Sequence, residues 1–515
     1  MSDELSRRAM LRRGAVLTTG VAGLGITTAS PAVAASELTL TATAAGAGTY
    51  LYLPFPVPAG VNRVAASLTK SGAGAEHTAV GIGLFDERGP GYGSPGFRGV
   101  YGEEENSFFV AAHAASRAFR AGRIEPGTWT VIIPVFRAPT PTELTVTVRL
   151  SFGPQRGERP LGREQDVVRA EPGWYRGDLH NHTTHSSDAF ASGSALQPDE
   201  YPDAMRRAGL DWVVFTDHNV TTSNDDLARI AGDTGVLLIG GVEMTNWFHG
   251  HATVSGLPPG AWLDWRQRPN GIPLQRYERR IDAFFDAARR HGAYVSAAHP
   301  ASAHLSWQFL ADGLADPALL PDGLEVWNGP YQPDDDDAIA IWDRLLAAGH
   351  RVFASGGSDL HGTANPEASA LGAPTTVVYA GSLSRDAVVA ALKAGRSYVT
   401  SGPSGPELYL TAEGPAGQHA MVGGTVTGGP ADVVTVSVLV RGGTERVLTL
   451  LRDGLVVRTE PVTADEQTVT LDQPIGPGGY LRAELRGAPE PDTEDPLNGR
   501  SGMVALTNPI FLAPE

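Results

Sequence analysis

Between residues 36 and 153, apolar and polar positions alternate in short runs such as Glu37-Leu38-Thr39-Leu40-Thr41 and Thr128-Trp129-Thr130-Val131-Ile132-Ile133, with Gly and Pro between them. This period-two pattern predicts strands with one apolar face. A second sheet must cover that face, so 36–153 is expected to form a β-sandwich. The polar stretch 154–172 reads as a linker. From 173 to 402 short apolar runs alternate with longer amphipathic ones, which predicts an α/β region with a mostly parallel sheet. Its expected strands are Arg176 to His180, Trp212 to Asp217, Val236 to Glu243, His251 to Ser255, Tyr294 to His299, Leu324 to Trp327, Val352 to Ser358 and Thr376 to Tyr379. Its expected helices are Asp199 to Ala208, Asp225 to Ala231, Leu274 to His291, Asp335 to Ala348 and Ser384 to Ala394; the third places Ile281, Phe284, Phe285 and Ala288 on one face. After Ser401-Gly402-Pro403 the alternation returns, with Asp453-Gly454 suited to a hairpin turn, and 403–515 is expected to be a second β-sandwich.

Composition narrows the chemistry. The 515 residues include no cysteine, which removes disulfides and thiolate metal sites and leaves His, Asp and Glu as ligands. The formal net charge of −17 becomes about −19 beyond residue 34, and no stripe of Lys or Arg with interleaved aromatics appears, so nucleic acid is not expected as a partner. At the N-terminus Ser6-Arg7-Arg8-Ala9-Met10-Leu11-Arg12 precedes an uncharged run from Gly14 to Pro31 and the small residues Ala32-Val33-Ala34-Ala35. Residues 1–35 resemble a twin-arginine signal peptide, which implies engagement of that export machinery by the precursor and a secreted or periplasmic location. The run is rich in Gly and Thr, and no later segment is apolar enough to span a bilayer, so stable membrane insertion is not expected.

Eleven of the 14 histidines fall between His180 and His361. His180, His218, Glu243, His299 and Asp359 each end an expected strand, with His182, His251 and His361 close by. Strand ends of an α/β barrel converge on one face, where such folds carry their active sites. His180-Asn181-His182 puts two imidazoles on one face of a strand. Imidazole with carboxylate suits Zn²⁺, Mn²⁺ or Fe²⁺. Asp217 is a candidate to orient His218. His291 and His350 read as helix-end residues and Asp334 to Asp337 as N-terminal caps. His304, Trp247, Phe248, Trp307, Trp327 and Tyr331 are candidates for the pocket wall or for packing.

The motifs Gly177-Asp178-Leu179-His180-Asn181-His182-Thr183-Thr184-His185-Ser186-Ser187-Asp188, Phe215-Thr216-Asp217-His218-Asn219, Gly241-Val242-Glu243, Gly250-His251, Ala298-His299-Pro300, Glu325-Val326-Trp327-Asn328 and Gly357-Ser358-Asp359-Leu360-His361 together resemble the PHP (polymerase and histidinol phosphatase) superfamily. Within it they resemble the CehA/McbA-like metallohydrolases, in which the segment Gly395 to Pro403 closes the domain. The resemblance implies a distorted (β/α)7 barrel, flanked here by the N- and C-terminal sandwiches, holding two to three divalent ions. It implies one ion on His180, His182, Glu243 and Asp359, a second on Glu243, His251 and His299, and a third on Asp188, His218 and His361. His185 stands as an alternative to Asp188, and His249 to His251. His180, His182, Glu243 and Asp359 are expected to carry the chemistry.

The expected function is metal-dependent hydrolysis of a small-molecule ester by metal-activated water, with a phosphoester as the leading substrate. A carboxylic or carbamate aryl ester is the alternative. A further alternative is a non-catalytic protein whose sandwiches bind a surface polymer. The export signal has its own test. Arg7→Lys combined with Arg8→Lys is expected to leave the precursor inside the cell in a fractionation experiment, and unchanged secretion would remove the twin-arginine reading.

Overall fold

The computed structural model describes residues 35–515 except 159, 247–249, 270, 304, 366–369 and 488–501. Residues 1–34 of the expected signal peptide 1–35 and the candidates Trp247, Phe248, His249 and His304 therefore lie outside the described residues. Among the described residues no helix is long and apolar enough to cross a membrane.

The N-terminal region folds into two facing antiparallel sheets. One has four strands, Ala35–Ala44, Thr142–Phe152, Val61–Ser71 and Ser107–Ala111; the other is built around Thr49–Val57, Gly127–Arg137, Ile82–Phe85 and Phe97–Tyr101. Alternating residues such as Val64, Val146 and Val148 from one sheet and Phe55, Val131 and Ile133 from the other fill the space between them. That core does not stop at residue 153. It continues into Trp265, Phe284, Phe285 and Trp307 of the central region.

The central sheet runs in the order Phe353–Gly357, Gly323–Asn328, Tyr294–Ala298, Gly250–Ser255, Leu237–Asn246, Trp212–Phe215, Gly173–Asp178, Thr375–Ala380 and Ser397–Thr400. Every expected strand is present, but the sheet is mixed rather than mostly parallel. The 250–255 strand is antiparallel to both neighbours, as is the 375–380 strand. Only three residues separate 246 from 250, too few for the crossover that a parallel pair needs. At the opposite margin the chain beyond Gly357 lies beside the chain beyond Asp178, where the Asp359 N–H donates to the His180 carbonyl (2.9 Å) and the His182 N–H to the Leu360 carbonyl (3.0 Å).

Seven helices accompany the sheet among the described residues: α1 Ser187–Ala191, α2 Tyr201–Ala208, α3 Leu227–Ala231, α4 Ile281–Arg290, α5 Leu310–Ala315, α6 Pro333–Ala347 and α7 Arg385–Lys393. The helix expected from Leu274 begins only at Ile281. Before it, Arg279–Arg280 pairs with Gln267–Arg268, and the Glu278 carboxylate accepts from Arg268 Nε (2.7 Å) and the Gln275 N–H (2.9 Å), which holds 275–280 in a turn. Helices α1 and α5 span too few residues to leave a periodic signature.

The C-terminal region extends the same sheet. Ser397–Thr400 pairs with Met503–Thr507, which leads on to Gly479–Gly487 and Arg446–Arg452, and a separate four-stranded sheet covers this extension through Leu410, Val436, Val438, Leu450 and Leu485. A buried charge network ties the extension to α6. Arg482 pairs with Asp343 (2.7 Å) and Glu484 (2.6 Å), and Arg486 with Glu484 (2.8 Å) and Asp336 (2.9 Å).

Gly177, three residues before His180, lets the Trp212 indole lie directly on the backbone; a Cβ there would meet the ring at 2.1 Å. Gly177→Ala is expected to destabilise the protein by about 1–3 kcal/mol through overpacking. Gly157→Ala, whose Cβ would meet nothing within 4 Å, is expected to be neutral. Denaturant midpoints of the two variants check both expectations.

Candidate metal centre

Six residues of the centre sit just beyond the end of a strand. His180 and His182 follow the 173–178 strand, His218 follows 212–215, His299 follows 294–298, and Asp359 and His361 follow 353–357. Glu243 and His251 lie within the adjacent strands 237–246 and 250–255. Gly250, with φ +93° and the Trp307 Cα only 2.8 Å from where its Cβ would be, permits the close approach that brings His251 inward. His299 (φ 28°), Asp359 (φ 50°) and Asn219 (φ 58°) adopt left-handed backbone although none is glycine, a geometry that stores strain.

The centre of the arrangement is the Glu243 carboxylate, which has no exposed surface. Its Oε1 lies 2.8 Å from His251 Nδ1, 3.3 Å from His299 Nε2 and 3.4 Å from His180 Nε2. Its Oε2 lies 2.7 Å from His218 Nδ1 and 3.4 Å from His182 Nε2. Asp359 Oδ1 faces His182 Nε2 (3.0 Å) and His180 Nε2 (3.2 Å), while Asp188 Oδ2 faces the Nε2 atoms of His218 and His361, both at 3.0 Å. All nine expected ligands thus meet in one cluster. His185 Nδ1 pairs with Thr222 Oγ1 at 2.7 Å.

Within the cluster, potential ligand atoms lying within 4.8 Å of one another form four overlapping sets. These are His180, His182 and Asp359; His180, Glu243 and His299; His218, Glu243 and His251; and His182, His218 and His361. The sharing is wider than the three implied ion sites, since His180, His182 and His218 each belong to two of these sets. The donor set fits divalent cations in a further respect. His180 Nε2 is buried and makes no hydrogen bond although two carboxylates face it, an arrangement suited to a ligand atom.

Charge in the cluster is mutually compensated. Burial works to raise the carboxyls of Glu243, Asp359 and Asp188, but the surrounding imidazoles overcome it and hold all three well below the usual carboxylate range. Burial likewise opposes charging of His361, yet Asp359 and Asp188 lift it to about 9; His180 and His218 are also raised well above normal. His182 and His251 fall to about 4, chiefly through burial. A buried cluster of this kind needs cationic counterparts, and bound cations supply them as well as protons do.

Several supporting residues stand in the sequence motifs but are assigned no role by them. Glu325 contacts His180 Nδ1 with both oxygens (3.0 and 3.2 Å) and accepts from the His299 N–H (2.9 Å) and Asn328 Nδ2 (3.0 Å), which aims His180 Nε2 at the centre. Asp178 is fully buried and accepts from the backbone N–H groups of His180, Ser358 and Gly372; burial pushes it up to about 6 against the pull of those bonds. Ser186 Oγ pairs with His182 Nδ1 (3.0 Å) and accepts the His218 N–H (2.9 Å). Asp217 does not orient His218. Its carboxylate instead accepts from the Thr183 N–H (2.7 Å), the Thr183 hydroxyl and the Ser223 hydroxyl.

The remaining candidates take structural places. Asp335 caps α6, accepting from the N–H groups of Gln332 (2.7 Å) and Asn328 (2.9 Å), and His291 ends α4. Trp307 packs on Phe285 and Phe309, and Trp327 meets Tyr331 edge to face.

Because Glu243 stands between two groups of imidazoles and Asp188 serves one, their removal should differ. Glu243→Ala is expected to lose about two bound cations per chain and Asp188→Ala about one, since losing a bridging carboxylate exposes two neighbouring cations to each other's repulsion. Metal analysis of the folded, purified variants checks this. Equal metal content in wild type and Glu243→Ala would remove the bridging role.

No family model matches the chain, and no curated protein matches it. Among solved structures it is similar to a two-domain protein from Bacteroides vulgatus containing a predicted PHP-like metal-dependent phosphoesterase, at 20% identity over 64% of this chain and 96% of that one, with a TM-score of 0.35. It is also similar to an amidohydrolase from Chromobacterium violaceum with bound sulfate and no metal, at 19% identity over 38% of this chain and 89% of that one, with a TM-score of 0.27. Likeness this loose carries no functional assignment.

Proposed function

We propose that the protein is a metal-dependent hydrolase of the PHP superfamily and its CehA/McbA-like group, acting on a small-molecule ester, with a phosphoester as the leading substrate class. The observation that carries this reading is the buried Glu243 carboxylate faced by five imidazoles, with Asp359 and Asp188 beside them. In the same reading the central region is a distorted (β/α)7 barrel, supported by the backbone bonds between 180–182 and 359–361, and the precursor leaves the cell by the twin-arginine route.

Two or three ions of Zn²⁺, Mn²⁺ or Fe²⁺ held there would supply a Lewis acid and make water nucleophilic near neutral pH. The chain's part is to orient and to exclude. Glu325 fixes His180, Ser186 fixes His182, and the buried walls keep bulk water from Glu243. Substrate has a way in at a cavity of about 240 Å³ beside His299 and Asp359, lined also by Ser302, Asn328, Gln332 and Asp334.

A second reading, hydrolysis of a carboxylic or carbamate aryl ester, is favoured by one observation. Neither this cavity nor the smaller one beside Asp188 and His218 has a Lys or Arg in its wall among the described residues, whereas phosphate recognition usually relies on such groups.

Assays with p-nitrophenyl phosphate, bis(p-nitrophenyl) phosphate and 1-naphthyl acetate, each with added Mn²⁺ or Zn²⁺, separate the two. Turnover is expected with at least one ester, abolished by a chelator and reduced by about 100-fold or more in His180→Ala. A folded, metal-loaded protein inert toward all three would overturn the hydrolase reading.

A further inference from the structure

Of the groups that meet at the centre, Asp188 alone rides on a helix rather than on a strand or strand end. That helix, α1, is only five residues long, and a single turn has little stability of its own. Ser192 at its end donates to the His361 carbonyl (3.0 Å), and the rest of its support includes contacts from the N-terminal sandwich. The Gly102 N–H donates to Ser187 Oγ (2.9 Å), and the Ser187 hydroxyl donates onward to Glu104 Oε2 (2.9 Å). Gly102 permits this approach, because a Cβ there would lie 2.8 Å from Ser187 Oγ. On the other side Arg117 donates from Nε to the Thr184 carbonyl (3.1 Å) and lays its guanidinium 3.2 Å from the centroid of the Phe190 ring. Glu104 also lines the small cavity that contains Asp188 and His218.

We propose that the sandwich is a working part of the metal centre, with Glu104 a positioning residue that sets Asp188 through the Ser187 hydroxyl. Ser186, at the start of α1, also contacts His182 and His218, but Asp188 is the one group of the centre that α1 itself carries, so the sandwich acts foremost on the cation held by Asp188, His218 and His361. This rests on the metal-centre reading given above. It assigns the N-terminal sandwich a role in the chemistry beyond any binding of its own.

The test uses the full chain, stripped with a chelator and titrated with Mn²⁺ by calorimetry. Glu104→Ala and Ser187→Ala are expected to weaken one equivalent by about 10–100-fold, the range for residues that orient ligands, with the remaining equivalents and the unfolding midpoint unchanged. Glu104→Gln keeps a carbonyl oxygen for the Ser187 hydroxyl while removing the charge, and it is expected to titrate like wild type. Ser187→Ala carries the test alone if Glu104→Ala does not fold. Wild-type behaviour in Ser187→Ala would overturn the clamp, as would a loss spread over every equivalent. Glu104→Gln as weak as Glu104→Ala would replace the clamp by a simple charge effect. Failure of wild type to bind Mn²⁺ would overturn the metal centre and the clamp together, whereas intact wild-type binding with unaffected variants would overturn the clamp alone.

Discussion

A carboxylate with no exposed surface has to be neutralised by what surrounds it, and the fold around Glu243 is organised to do so. Moving such a group out of water costs several kcal/mol even after relaxation, so the imidazoles that face it are a condition of its being there. They come from loops or strands at residues 180–182, 218, 251 and 299, which are far apart in the chain. Only a sheet that sends several strand ends to one point brings them within 3.4 Å of a single side chain. The mixed strand order serves the same end. The hairpin of 237–246 and 250–255 places Glu243 and His251 on adjacent strands, where a crossover connection would have separated them.

The centre was legible in the sequence because most of its residues interrupt or end an apolar run, Asp188 being an exception. Val213, Val214 and Phe215 lead to His218, and Val295 to Ala298 lead to His299, so the strand signal and the chemical signal coincide. The supporting residues were not legible in this way. Glu325 lies inside the strand 323–328 and stands in a motif without a role of its own; its contact with the far nitrogen of His180 is a fact of three dimensions. Asp217 misled for the converse reason, since adjacency to His218 in sequence points the two side chains in different directions. The start of α4 was missed because the pairing of 267–268 with 279–280 competes with helix formation, and nothing in the local pattern announces a two-residue ladder. The Ser187 to Glu104 contact joins residues 83 apart that are individually unremarkable polar groups in a turn and a short helix.

The flanking regions read as separate modules in the sequence, and their strands do form facing sheets. The interior is less divided than the pattern suggests. The N-terminal core continues into Trp265 and Trp307, the central sheet continues through 397–400 into the C-terminal strands, and Arg482 buries its charge against α6. Apolar periodicity records which face of a strand is covered and is silent on whose side chain covers it.

The left-handed backbone at His299 and Asp359 has a consequence for how this protein would respond to selection. Glycine would relieve the strain at both positions, but it would also delete two groups that face the centre. Folding and chemistry therefore pull in opposite directions at the same two codons. A population screened for heat resistance alone would drift toward glycine there and emerge sturdier with the cluster incomplete, so any campaign to harden this protein has to hold those two positions fixed from the start.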